Sequence, residues 1–288
     1  MASTEVSVVL AFRDAEADLG RQLTALAQQD FEGVWEVIAV DNGSSDRSRM
    51  VVDSHTDHVP IRVVEADERA NLSYARNTGA RSAAGRKLLF LDADDEVARG
   101  YVRAMASALD SAEFVAARLD HEALNPGWVR AAYGDAWQVH GLDPLFQFLP
   151  VAGGGTIGVT REVFEAVGGF DPDLSGAEDV AFAWNVQLQG SALRFVSDAV
   201  LRHRYRATLA GLFRQTRAQG RVLPLLYRMY RDAGLERRSL REAGRQWLSL
   251  LAGLPRVRGR SELAPLAARL GYLVGRLEGS VRYRVLAL

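Results

Sequence analysis

The chain contains no cysteine. That absence excludes disulfides, thiolate metal sites and cysteine nucleophiles, and says nothing about redox compartment. Long apolar runs are missing too: no uncharged apolar stretch reaches the roughly 18 residues a membrane-spanning helix needs. The first residues lack the basic start, apolar centre and small-residue cleavage site of a secretory signal, so the expected location is the cytoplasm. Glycine is missing from the turn after the first apolar run, Ala11-Phe12-Arg13-Asp14-Ala15. A dinucleotide-binding dehydrogenase needs Gly-x-Gly-x-x-Gly there, so that the backbone can approach a pyrophosphate, and that reading fails. Lysine is absent from residues 206–288, where 17 Arg against 5 Asp and Glu leave +12. Because the whole chain has a net charge of −1, residues 1–205 carry −13. The asymmetry predicts an acidic front and a basic tail with different tasks.

At 288 residues and 48% hydrophobic content, the chain can form one large α/β domain with an appendage, or two small domains. Val6–Leu10, Glu36–Val40 and Ile61–Val64 read as strands rich in β-branched residues. Between and after them, 13–28, 46–54 and 72–84 read as helices. Strands and helices alternating at this spacing predict βαβ units and a mostly parallel sheet. The centre of the pattern is Leu88-Leu89-Phe90-Leu91 followed by Asp92-Ala93-Asp94-Asp95. Four large apolar residues predict a strand buried on both faces, with acids at its carboxyl end, where open α/β sheets place ligands. If the strand continued, Asp92 and Asp94 would share one side, and a divalent cation would relieve their repulsion. The alternative is an acidic turn leading into a helix.

Several motifs then occur in a recognisable order. Val6–Leu10, Val40-Asp41-Asn42-Gly43-Ser44-Ser45-Asp46, Ala75-Arg76-Asn77-x-Gly79 and Phe90-Leu91-Asp92-Ala93-Asp94-Asp95 come first. Gly153-Gly154-Gly155, Ala166-Val167-Gly168-Gly169-Phe170-Asp171 and Gly176-Ala177-Glu178-Asp179 follow. Together they resemble family 2 glycosyltransferases over residues 5–205. The resemblance implies the α/β GT-A fold, a doubly wound sheet with helices on both faces. It implies inverting transfer of a sugar from a nucleotide-diphosphate donor to a hydroxyl of a saccharide, lipid-linked or small-molecule acceptor. It also implies Mn²⁺ or Mg²⁺ on the diphosphate, held by Asp92 and Asp94, with His203 as a third ligand. The expected donor-binding residues are Ala11, Phe12, Arg13, Asp41, Asn42, Arg76, Asp92, Ala93 and Gly154. Relatives often carry Asp at the position of Asn42 and Pro-Thr-Tyr-Asn in place of Ala11-Phe12-Arg13-Asp14, which leaves the nucleobase open.

Two of these residues have competing physical readings. The Arg76 guanidinium is suited equally to a diphosphate and to clamping the Asp92 and Asp94 carboxylates. Ser175-Gly176-Ala177-Glu178 has the form of a capping box, which gives Glu178 a structural task and makes Asp179 the expected general base, with Glu178 the alternative. His121 and His140 lie in the irregular stretch 120–150, with nothing at metal-ligand spacing. Residues 206–288 read as a helical extension of the 1–205 domain. In it Leu263, Leu266, Leu270, Leu273, Leu277, Val281 and Val285 form one stripe and Gly271, Gly275 and Gly279 another. The glycines permit close helix approach within the chain or in an oligomer. The arginine-rich extension is expected on an anionic membrane surface or against the acidic domain, and nucleic acid is not expected. Two other functions fit less well: a nucleotidyltransferase acting on a sugar phosphate, which lacks its basic phosphate loop, and an inactive sugar-binding or membrane-adaptor protein.

Overall fold

The computed structural model describes residues 3–133, 137–174, 176–237, 240–253, 255 and 257–285. The chain forms two compact units. The first takes in the chain up to Asp120, Trp137–Asp143 and Pro150–His203, and the second the segment from His121, Pro144–Leu149 and the chain from Arg204 on. A single cut at 205 therefore misses two insertions that belong with the tail.

The first unit is built on an eight-stranded sheet. Its strands are β1 (Val6–Phe12), β2 (Trp35–Asp41), β3 (Ile61–Glu65), β4 (Lys87–Asp92), β5 (Glu96–Val97), β6 (Phe114–Asp120), β7 (Ile157–Thr160) and β8 (Leu193–Arg202), in the order β3-β2-β1-β4-β7-β6-β8-β5. Four of the seven pairings are parallel, so the sheet is mixed, with antiparallel joins on both sides of β7 and at β5. Strand β1 shows why both faces are covered. Val6, Val8, Leu10 and Phe12 enter one apolar cluster and Val9 and Ala11 the other, following the period of two. Helices α1 (Leu19–Ala27), α2 (Ser48–Asp53) and α4 (Tyr101–Ala108) supply Leu23, Val52 and Met105 to the first cluster. Helices α3 (Leu72–Ser82), α6 (Arg161–Ala166) and α7 (Glu178–Leu188) supply Ala75, Phe164 and Phe182 to the second. Gly79 lets α3 lie close to the sheet, since a Cβ there would come within 2.5 Å of Val9 and 2.7 Å of Val40. The helix expected over 13–28 starts only at Leu19, because the chain first turns through Asp14, whose φ is 48° and whose carboxylate accepts the Ser45 N–H.

The second unit is helical. Helix α5 (Gly127–Tyr133) and the tail helices α8 (Leu209–Tyr230), α9 (Leu240–Gly253) and α10 (Arg260–Arg282) compose it, and His121 stacks on the Tyr205 ring at 5.2 Å. Pro224 lies inside α8. The glycine stripe closes on the same chain: a Cβ on Gly271, Gly275 or Gly279 would come within 2.4 Å of a carbonyl oxygen of α8. Gly220 of α8 returns the contact to the Tyr272 carbonyl. Glu278 pairs across the two helices with Arg217 and Arg221. Among the described residues no helix is long and apolar enough to cross a membrane.

Candidate active site

The sheet register sets the ends of three strands level. Ala11 pairs with Asp92 on one side and Phe12 with Asp41 on the other. Next to these ends is a hollow of about 260 Å³ lined by Ala11, Phe12, Arg13, Asn42, Ala70, Asn71 and Leu72. The first four are expected donor-binding residues. Ala70 and Asn71 fall outside the elements expected from the sequence, Leu72 starts the helix expected over 72–84, and the stretch reaches the wall because Asn42 holds it there. Its amide nitrogen donates to the Ala66 and Arg69 carbonyls, and its oxygen accepts the Asn71 N–H at 2.8 Å. The two carbonyls and one N–H fix the amide's orientation, so the flip that would let Asn42 offer either group to a base is closed. Asp41 is also engaged, accepting the Ser44 N–H at 2.8 Å as in an Asx turn.

Strand β4 stops at Asp92, and Ala93 and Asp94 form a turn. The period-two argument that put Asp92 and Asp94 on one side ends with the strand. The chain turns because β5 is needed to pair with β8, Glu96 opposite Arg202 and Val97 opposite Leu201. That pairing carries His203 to Asp95, a buried acid given no task in the sequence reading, with Nδ1 2.9 Å from its carboxylate. Burial alone would lower the His203 pKa. The Asp95 charge and hydrogen bond outweigh it, Asp94 and Asp92 add to the field, and the imidazole rises above its usual value. Among the described residues no three His, Asp or Glu side chains converge as a ready-made metal cage, so the expected trio of Asp92, Asp94 and His203 is not preassembled.

Arg76 of α3 joins the pieces. It is 1% exposed, donates from Nη2 to Asp92 Oδ1 at 2.6 Å, has Nη1 3.6 Å from Glu178 Oε1, and lies over the Phe170 ring at 5.2 Å. The bond to Asp92 is one part of the expected clamp on Asp92 and Asp94. Burial works against its charge, but Asp92 and Glu178 raise its pKa overall. Among the described residues, Nε and Nη1 have no hydrogen-bond acceptor. Glycines make room for the guanidinium and its partner: a Cβ on Gly154 would come 2.4 Å from Arg76 Nη1, and one on Gly155 2.8 Å from Asp92 Oδ2.

Helix α7 opens at Glu178 with Ala177 as N-cap, so Glu178 is the first helical residue and not the third, as a capping box requires. Ser175, the other half of that box, lies outside the described residues. Glu178 Oε2 instead accepts the Gly176 N–H at 3.0 Å. Asp179 accepts the N–H of Gly154 at 3.2 Å and of Val180 at 2.8 Å. Burial of its carboxylate, with the like charge of Glu178 next to it, pushes its pKa up to about 6, against the pull of Arg76. Sequence reasoning missed Gln138, which lies in the stretch without periodicity. Its φ is 55°, and its buried amide accepts the Gly153 N–H at 3.0 Å and donates to Thr156 Oγ1, fixing the glycine turn. It also missed Asn71. That residue caps α3 by accepting the Tyr74 N–H, donates to the Pro172 carbonyl at 3.2 Å and lines the hollow.

The sequence pattern of the family described as Glycosyl transferase family 2 matches residues 7–168, more than half of the chain. The chain belongs to that family. This family 2 chain is 28% identical over 144 residues to the uncharacterised glycosyltransferase YibD of Escherichia coli, covering 50% of this chain and 40% of that protein. It spans less than half the length of the first curated relatives it matches. A mannosyltransferase from Pyrobaculum calidifontis, in complex with GDP-Man and Mn²⁺, is similar in structure, with a TM-score of 0.64 at 19% identity over 96% of this chain and 88% of that one. S. aureus TarS in complex with UDP-GlcNAc gives 0.55 at 15% identity over 98% and 93%. These likenesses show the GT-A fold.

Proposed function

We propose that this chain transfers a sugar, with inversion, from a nucleotide-diphosphate sugar to a hydroxyl of a saccharide, lipid-linked or small-molecule acceptor. The observation that carries the reading is the gathering of Asp92, Glu178 and Asp179 around buried Arg76, with Asp92 paired in the sheet to Ala11, a residue of the hollow's wall. The donors bound by the two structural neighbours, GDP-Man and UDP-GlcNAc, support the donor class. In this proposal the hollow takes the nucleobase, with Asn42 and Asn71 shaping its wall. Asp179 accepts the proton from the acceptor hydroxyl as that oxygen bonds to the anomeric carbon. The bond from that carbon to the diphosphate breaks on the opposite face, and its electron pair leaves with the diphosphate. A carboxylate with a pKa near 6 is a stronger base than an ordinary aspartate and still ionised at neutral pH. Gly154 orients it through the backbone N–H, and Arg76 is a positioning residue for the acids on both sides. The cytoplasmic location expected from the sequence belongs to the same proposal.

A divalent cation fits the donor set. Asp92 and Asp94 are half-buried and offer hard oxygens, and such ions are held by one or two carboxylates plus substrate phosphates without an all-protein cage. An imidazole oriented by a carboxylate, as His203 is by Asp95, suits Mn²⁺. Bound there, the ion would neutralise charge on the departing diphosphate. Thermal-shift titration with UDP, GDP, dTDP and their sugars, with and without Mn²⁺, tests the reading. Stabilisation by a nucleotide should require Mn²⁺, and be lost in Asp92→Ala and Asp94→Ala while the unliganded melting transition stays cooperative. Mn²⁺-dependent stabilisation surviving in both variants would overturn the metal assignment.

A further inference from the structure

Helix α10 packs against α5, α8 and α9 and keeps one line of apolar residues exposed. Its glycines lie against α8, and Leu266 and Leu273 cluster with Leu250 of α9. Leu263, Leu270, Leu277 and Val281 remain 38%, 39%, 41% and 81% exposed. Steps of seven, seven and four put them on one line along the helix. On α9, Leu248 and Leu251 are 66% and 58% exposed. These are six of the twelve large apolar residues exposed among the described residues, so the exposure is concentrated in these two helices and not scattered over the surface.

The surrounding charge selects the partner. Arg241 and Arg245 are exposed on the Leu248 side of α9, and Arg269, Arg282 and Arg284 are exposed on or just beyond α10. Residues 206–288 carry +12, and one of their five acids, Glu278, is already engaged by Arg217 and Arg221. A guanidinium fork matches phosphate oxygens, and the charge is all arginine. Leucines interleaved with arginines, on helices too polar to span, are the composition of a helix that lies in the plane of a membrane interface. We propose that α9 and α10 dock on an anionic phospholipid surface, with the exposed leucine line entering the acyl boundary and the flanking arginines meeting lipid phosphates.

The full chain should sediment with vesicles of phosphatidylcholine and phosphatidylglycerol, but not with phosphatidylcholine alone, and added salt should release it. Leu270→Glu with Leu277→Glu should reduce partitioning about tenfold or more, because both residues leave the acyl boundary. Arg241→Gln with Arg245→Gln should lower it about fivefold per arginine. All four positions are exposed, so far-ultraviolet circular dichroism and nucleotide-induced thermal shift should match the wild type. Three results would overturn the proposal: no binding by the full chain, equal binding to neutral vesicles, or unchanged binding in both double variants. A solution dimer that Leu270→Glu with Leu277→Glu converts to monomer, without vesicle binding, would assign the face to a second copy instead.

Discussion

Glu178 and Asp179 are neighbours in sequence but are held by different partners. Glu178 faces the Arg76 guanidinium, while Asp179 rests on two backbone N–H groups with its pKa raised. Asp179→Asn keeps the size and the hydrogen-bond acceptor but cannot take a proton. Transfer should fall by about 10² to 10⁴ with donor affinity nearly unchanged, measured by calorimetry and by turnover. Glu178→Gln should instead weaken the hold on Arg76 and reduce both, and exchange of the two phenotypes would exchange the roles. This pair shows how far residue-level reading reached. The acids were legible because carboxylates at a helix start are a chemical signal. The capping box used to separate their tasks does not match the helix, which begins two residues later than the spacing of serine and glutamate suggested, while the division itself, Asp179 as base, stays part of the proposal. Asn42 was expected at the candidate site and lines its hollow, but its bonds were not legible, since three backbone partners more than twenty positions away consume its amide.

Among the elements, those with a strong period were the readable ones. Strands β1 to β4 and helix α3 lie within a few residues of their expected bounds, because alternating or continuous apolar patterns leave few other ways to bury them. The extended run after Asp92 was overridden by a tertiary demand, the pairing of β5 with β8, which no local pattern encodes. The glycine stripe of α10 was visible as spacing, but only the fold shows that its partner is α8. A side chain there has no room: the Cβ of Gly275 would lie 2.0 Å from the Arg217 carbonyl, a backbone atom that cannot rotate away. Gly275→Ala should therefore destabilise the helical unit by about 1 to 3 kcal/mol, as overpacking does, despite the better helix propensity of alanine. Urea unfolding followed by circular dichroism checks this, and a gain in stability would show that the helices can separate at little cost.

At the scale of the whole molecule, the raised Asp179 makes stability depend on pH with a definite sign. In the folded chain the group keeps its proton up to about pH 6, whereas the unfolded chain releases it near the ordinary value of 3.8. Its contribution is fully present below that lower value and is lost as pH rises through about 6. The difference in unfolding free energy between wild type and Asp179→Asn should shift against the wild type across that window. A flat difference would mean that the carboxylate titrates normally. Charge asymmetry was legible from composition alone, while the assignment of 121–136 and 144–149 to the helical unit was not, since their association with the tail is a product of tertiary contacts. The close approach of α8 and α10 has a further consequence, for changes of length. With backbone against backbone at Gly220, Gly271, Gly275 and Gly279, α10 cannot turn about its own axis to absorb an added residue. One residue inserted between Gly271 and Gly275 would rotate everything beyond it by about 100° relative to everything before it. Either the later glycines would leave α8, or Leu277 and Val281 would leave the line of Leu263 and Leu270. The surface of α10 is thus open to substitution in most of its letters and closed to insertion or deletion, as if the helix carried a reading frame of its own.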